Sequence, residues 1–168
     1  MPNGHVRRAE QTIPVTFTVN GRQHEMEVEP HELLLDVVRN RLGLTGAKRS
    51  CDMQVCGTCT LLLDGRPVSS CTLLAFEARG RDILTIEGLA QQGKLHPLQQ
   101  AFIDKGGFQC GFCTPGMLLT AKTMLAENPK PTQEEVIQYM EGNLCRCTGY
   151  KKIVESILAA AEKMRQQR

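Results

Sequence analysis

The eight cysteines of the chain fall into two quartets with none left over. Cys51, Cys56, Cys59 and Cys71 read C-x4-C-x2-C-x11-C, which is the plant-type [2Fe–2S] spacing. Cys110, Cys113, Cys145 and Cys147 read C-x2-C-x31-C-x-C. A [2Fe–2S] cluster takes four thiolates, so each quartet has the ligands for one. Two clusters in a chain of 168 residues imply a relay that passes single electrons between two other sites. Zinc is the competing metal, because it also accepts four cysteines and favours C-x2-C pairs. A distant fourth cysteine after C-x4-C-x2-C, and a C-x-C half-site, favour iron. Four disulfides would need an oxidising compartment, and the sequence shows no secretory signal that would supply one.

Regular elements must carry these ligands. Residues 1–12 read as a tail. Val15, Phe17 and Val19 alternate with polar residues, Asn20-Gly21 is the preferred pair for a tight hairpin turn, and Gln23 to Glu29 alternates again. Helical spacing runs from Leu33 to Leu42, and Gly43 stops it. Leu44 to Cys59 has no period, as expected of a loop that wraps an inorganic group. Short strands follow at Thr60–Leu63, Val68–Leu74 and Ile83–Ile86, with Asp64-Gly65 as a turn. The pattern then becomes helical. His96-Pro97 opens one helix, and Thr114-Pro115 opens another as cap and first residue. Thr132-Gln-Glu-Glu135 is a capping box for a third helix to about Glu141. A last helix spans Lys151 to about Met164. This predicts an α+β fold in two parts: a sheet domain over 13–88 with one quartet, and a helical domain over 89–168 with the other.

Composition excludes several classes. The chain has 41% hydrophobic residues, a net charge of +2, no Trp and two Tyr. That is a globular balance with no basic block or stacking surface for nucleic acid. No apolar run is long enough to span a bilayer. Arg7-Arg8 lacks the apolar stretch that a twin-arginine export signal needs, so a cytoplasmic location is expected.

Three motifs carry a resemblance. They are Cys51-Asp-Met-Gln-Val-Cys-Gly-Thr-Cys-Thr60, Gln109-Cys-Gly-Phe-Cys-Thr-Pro-Gly-Met117 and Gly142-Asn-Leu-Cys-Arg-Cys-Thr-Gly-Tyr150. Together they closely resemble the small iron–sulfur subunit of the molybdenum hydroxylases: the xanthine dehydrogenase, aldehyde oxidoreductase and aerobic carbon monoxide dehydrogenase group. The resemblance covers roughly residues 13–165. It implies a plant-type ferredoxin-like (β-grasp) domain followed by an all-α four-helix-bundle domain, each with a [2Fe–2S] cluster. It implies partners as well: a large subunit with molybdopterin, often as the cytosine dinucleotide in bacteria, and a medium subunit with FAD. They would form a heterotrimer or a dimer of heterotrimers. By similarity, the second quartet lies nearer the pterin, which Gln109 and Cys147 contact, and the first lies nearer the flavin. The chain would then be an oxidoreductase subunit without a substrate site of its own. A free-standing two-cluster ferredoxin is the alternative.

The first motif departs from the family pattern, which has glycine where this chain has Ser50 and Gln54. If either glycine normally takes a positive φ, the loop here must bend differently. Arg146, between two ligands, could tune a cluster, grip a partner or simply be solvated. Tyr150 reads as plain packing. The four histidines (His5, His24, His31, His96) are scattered and lack ligand spacing.

Overall fold

The structure, a computed structural model, describes residues 11–167, so the Arg7-Arg8 reading lies outside the described residues. A hairpin comes first. Strands β1 (Ile13–Val19) and β2 (Arg22–Val28) pair antiparallel, with Val19 opposite Arg22. Asn20 and Gly21 have φ of 51° and 78°. Both are left-handed, as the favoured two-residue turn requires. The same chemistry at Asp64 and Gly65 joins β3 (Thr60–Leu63) to β4 (Arg66–Ser69). The sheet order is β2-β1-β5-β3-β4, where β5 is Asp82–Leu84, and only β1 and β5 run parallel. This is a ferredoxin-like sheet with one helical segment packed on it.

That segment differs from a regular helix. The α-helical turn α1 (Leu34–Asp36) widens into a π-helical stretch, Val37–Arg41, closed by Leu42 N–H donating to the Val37 carbonyl at 3.1 Å. Leu34, Leu35, Val37 and Val38 are all fully buried, against Phe17, Leu61 and Ile83. The predicted strand from Val68 to Leu74 is also shorter, because it ends at Ser69. Beyond it the chain peels off to pair with α1: Leu35 N–H donates to the Ser70 carbonyl and Leu34 N–H to the Leu73 carbonyl. Cys71 therefore sits in a turn, not on a strand. β5 ends at Leu84, and Ile86 begins a short 3-10 turn instead of closing a strand.

Four helices make up the second part: α2 (Pro97–Lys105), α3 (Thr114–Glu127), α4 (Gln133–Tyr139) and α5 (Tyr150–Gln166). They enclose a separate core that includes Leu98, Phe102, Met117, Val136, Ile153 and Ile157. His96 caps α2 with its own Nδ1, which accepts from Leu98 N–H at 3.2 Å. The Thr132–Glu135 capping box forms as expected. At α3 the cap is Cys113, not Thr114: Thr114 is the first helical residue, and its Oγ1 is buried without a partner. The third helix stops at Tyr139, and Met140–Gly142 tightens into a 3-10 turn. α3 packs across β3 and β4, and Thr123 Oγ1 donates to the Gly65 carbonyl at 3.2 Å. Among the described residues, no helix is long and apolar enough to cross a membrane.

Candidate metal centres

The first quartet is built on the loop between the π-helical stretch and β3. Arg49 anchors that loop to α1 by pairing with Asp36 at 2.6 Å and with Asp52 at 2.9 Å. Gln54 stands where the family pattern has glycine, yet it has φ +63°, and Asp52 has φ +53°. The left-handed bend is thus kept without glycine. Its cost for a residue with a Cβ is about 1–2 kcal/mol, and the Gln54 side chain ties back to the Thr72 hydroxyl. Ser50 is not left-handed and needs no glycine.

The thiols sort into pairs. Cys51 lies against Cys56, whose N–H points at the Cys51 sulfur at 3.4 Å. Cys59 faces Cys71, and both are buried. In the second quartet Cys110 and Cys147 have their sulfurs 3.5 Å apart at the exposed end, and Cys113 faces the buried Cys145. Among the described residues no three Cys, His, Asp or Glu side chains converge as a single ion would require. Two pairs per site suit a dinuclear cluster with two thiolates on each iron, whereas zinc asks for four donors about one centre. The described histidines stay apart from these pairs: His31 meets Glu29 at 3.1 Å, His24 lies beside Phe17, and His96 is the cap, while His5 lies outside the described residues.

The thiols are chemically unequal. N–H donors at Met53 and Cys56 bring Cys51 down to about 7. Burial pushes Cys59 up to about 11 and Cys113 up to about 12. Cys110 is lowered by the Phe112 amide and then by Cys147. Each site therefore has one readily ionised, accessible thiol and one that burial keeps protonated until a metal arrives.

The two sites touch. Leu144 N–H donates to the Cys56 carbonyl at 2.9 Å, joining the residue before Cys145 directly to a member of the first quartet. Asn143 Nδ2 donates to the Gly57 carbonyl at 3.1 Å. The approach is close because of two glycines. A Cβ on Gly57 would lie 2.4 Å from the Gly142 carbonyl oxygen, and one on Gly116 would lie 2.2 Å from the Gly57 oxygen. Gly149 shows no such crowding. A cavity of about 550 Å³ borders Cys56, Thr58, Cys110, Cys113, Cys145 and Tyr150.

Comparisons with known proteins decide the family. Residues 17–85 match a family model described as a 2Fe-2S iron-sulfur cluster binding domain, and 85–158 match a [2Fe-2S] binding domain. The chain is 46% identical to the nicotinate dehydrogenase small FeS subunit of Eubacterium barkeri, covering 90% of this chain and 96% of that one. This chain is a small iron–sulfur subunit of the molybdenum hydroxylase family. The subunit is 49% identical to the nicotine 6-hydroxylase small subunit of Paenarthrobacter nicotinovorans, over 88% of this chain and 89% of that one. Quinoline 2-oxidoreductase from Pseudomonas putida 86 contains a chain with the same fold. The TM-score is 0.89 at 49% identity, covering 93% of this chain and 98% of that one. The aldehyde oxidoreductase of Megalodesulfovibrio gigas is 45% identical over 89% of this chain but only 17% of its own length. There the module is one part of a longer polypeptide. The subunit therefore has an electron-transfer role in an oxidoreductase and carries two [2Fe–2S] sites.

Spacing sorts the cysteines of the iron–sulfur subunit into the two groups that the structure brings together, but gives no sign of the groups around them. Tyr150 is not plain packing: its hydroxyl accepts from Cys145 N–H at 2.9 Å, and the side chain is exposed. Thr58 and Asn143, between or beside cysteines, also had no sequence signal beyond position. Arg146 is exposed with no ion pair among the described residues. Phe108 and Phe112 are exposed beside Cys110.

Proposed function

We propose that this subunit relays single electrons from a molybdopterin centre in a large subunit to FAD in a medium subunit, within a heterotrimer or a dimer of heterotrimers. The pterin would be the cytosine dinucleotide form. The clusters supply one-electron redox chemistry, and the protein supplies ligands, spacing and polarity. Cys51, Cys56, Cys59 and Cys71 would hold one cluster, with Cys51/Cys56 and Cys59/Cys71 as the pairs on each iron. Cys110, Cys113, Cys145 and Cys147 would hold the other, paired Cys110/Cys147 and Cys113/Cys145. The observation that carries the relay is the hydrogen bond from Leu144 to Cys56, because it leaves only backbone between a ligand of one site and a ligand of the other.

Further features support the assignment of ends. Gln109 Nε2 donates to the Cys147 carbonyl at 3.1 Å, so the two residues proposed to contact the pterin form one exposed unit. Exposed apolar side chains lie beside both quartets in the sequence. Met53 and Val55 cap the first loop, and Phe108, Phe112, Leu144 and Tyr150 surround the second quartet. Exposed apolar side chains of this kind suit contact with partner subunits. The two separate cores support a division of the chain near residue 88. A cytoplasmic site for the complex fits ligands that must load as free thiols.

The test is elemental analysis of the complex purified natively through a tag on this chain. The expected result is about four irons per chain, with molybdenum and a co-purifying large subunit. Iron without molybdenum or a large subunit would instead identify a free two-cluster ferredoxin. Zinc in place of iron would end the redox reading.

A further inference from the structure

We propose that the Thr58 hydroxyl sets the reduction potential of the first cluster by donating a hydrogen bond to the Cys56 sulfur. The inference rests on the first quartet holding a [2Fe–2S] cluster. Thr58 is 5% exposed, and its Oγ1 lies 3.2 Å from Cys56 Sγ. Among the described residues, the one other acceptor within its reach is the Lys48 carbonyl, at 3.4 Å. Backbone pairing fixes the residue, since Lys48 N–H donates to the Thr58 carbonyl at 3.0 Å.

The chemistry gives the direction. A free Cys56 thiol could be donor or acceptor toward Thr58. Bound to iron it is a thiolate and has no proton, so the Thr58 O–H is the only donor of the pair. Reduction adds negative charge to the cluster and its sulfurs. A buried donor stabilises the more negative state more strongly, and so raises the potential. Cys56 is also the residue whose carbonyl accepts from Leu144, so the donor acts on the ligand nearest the second site. Among the described residues, no hydroxyl reaches a sulfur of the second quartet within hydrogen-bond distance. Thr58 therefore raises the first potential, with no matching hydroxyl donor at the second.

The experiment is an EPR-monitored redox titration of the holo complex carrying Thr58→Val, with Thr58→Ser beside it. Valine keeps the shape and removes the donor, while serine keeps the donor. The expected result is a fall in the midpoint potential of the first cluster in Thr58→Val, an unmoved second cluster, and recovery in Thr58→Ser. An unchanged first-cluster potential in Thr58→Val, with both signals present, overturns the proposal and leaves the relay reading standing. A fall that serine does not reverse also overturns it, since that would report deformation of the loop. If the wild-type complex lacks two [2Fe–2S] signals, the relay reading fails, and this inference with it. Should Thr58→Val not load iron, the iron–thiolate stretching band of the wild-type protein decides. A shift of that band on brief exchange into D2O, with the band in H2O unmoved by Thr58→Ser, upholds the donor, and a band that does not respond to D2O or that moves in Thr58→Ser overturns it.

Discussion

At the scale of single residues, the unequal thiols dictate how metal enters. Cys51, at about 7, is substantially thiolate near neutral pH, whereas Cys59, at about 11, holds its proton until iron displaces it. Below about 7 the first ligand is protonated and a poor nucleophile for iron. Reconstitution of the apo chain with iron and sulfide, followed by visible absorbance, is expected to accelerate as pH rises through this region. Replacing Cys51 with serine should flatten that dependence at the first site. A second residue governs acid stability. Burial first, then repulsion from Lys122, holds His96 below its ordinary 6.5. The unfolded chain therefore binds a proton more readily than the folded one. The stabilisation from neutral His96 is present above about 6.5 and is lost as pH falls through the lowered folded value. Protonation also removes the Nδ1 acceptor that caps α2. His96→Asn keeps a capping side chain and should reduce the loss of stability below pH 6.5, measured by thermal melts across pH.

At the scale of elements, the join between the two ligand loops is the vulnerable part. Gly116→Ala would place a methyl group 2.2 Å from the backbone oxygen of Gly57. Backbone cannot move aside as a flexible side chain can, so the cost should be about 1–3 kcal/mol, read by denaturant unfolding of the loaded chain. Tyr150→Phe leaves the Cys145 N–H without its acceptor. It should cost about 1 kcal/mol and loosen the start of α5, seen as faster amide exchange there. The elements themselves were readable to different degrees. Asn20-Gly21 and Asp64-Gly65 specify their turns, because few residue pairs accept two left-handed positions in succession. The Thr132 box specifies α4. The π-helical stretch at Val37–Arg41 was not readable, because an apolar run looks the same whichever way the turn closes. Cys71 was misread for a related reason: pairing with α1, a tertiary event, takes its segment out of the sheet. The division of the eight cysteines into two groups was legible from spacing, because ligand spacing is a local property of the chain. Thr58 and Tyr150 were not, because a hydroxyl acquires meaning only when folding brings it to a sulfur or an amide.

At the scale of the whole molecule, the described residues hold two cysteine quartets and two cores, with exposed apolar side chains beside each quartet. Placing a charge beside one quartet should release one partner only. Val55→Asp, on a residue already 53% exposed, should leave folding and iron content intact. If the proposed flavin-binding partner docks beside the first quartet, the variant should weaken its retention and keep the large subunit, as read from the composition of the purified complex. Loss of both partners together would argue against separate docking faces. The bond between Leu144 and Cys56 also works as a reporter on hydrogen-exchange timescales. The Leu144 amide is protected only while the sheet part and the helical part stay closed on each other, so its exchange rate measures the free energy of their parting. Stripping metal from either site should speed that one amide, which makes it a local gauge of whether the two halves open independently or as a unit.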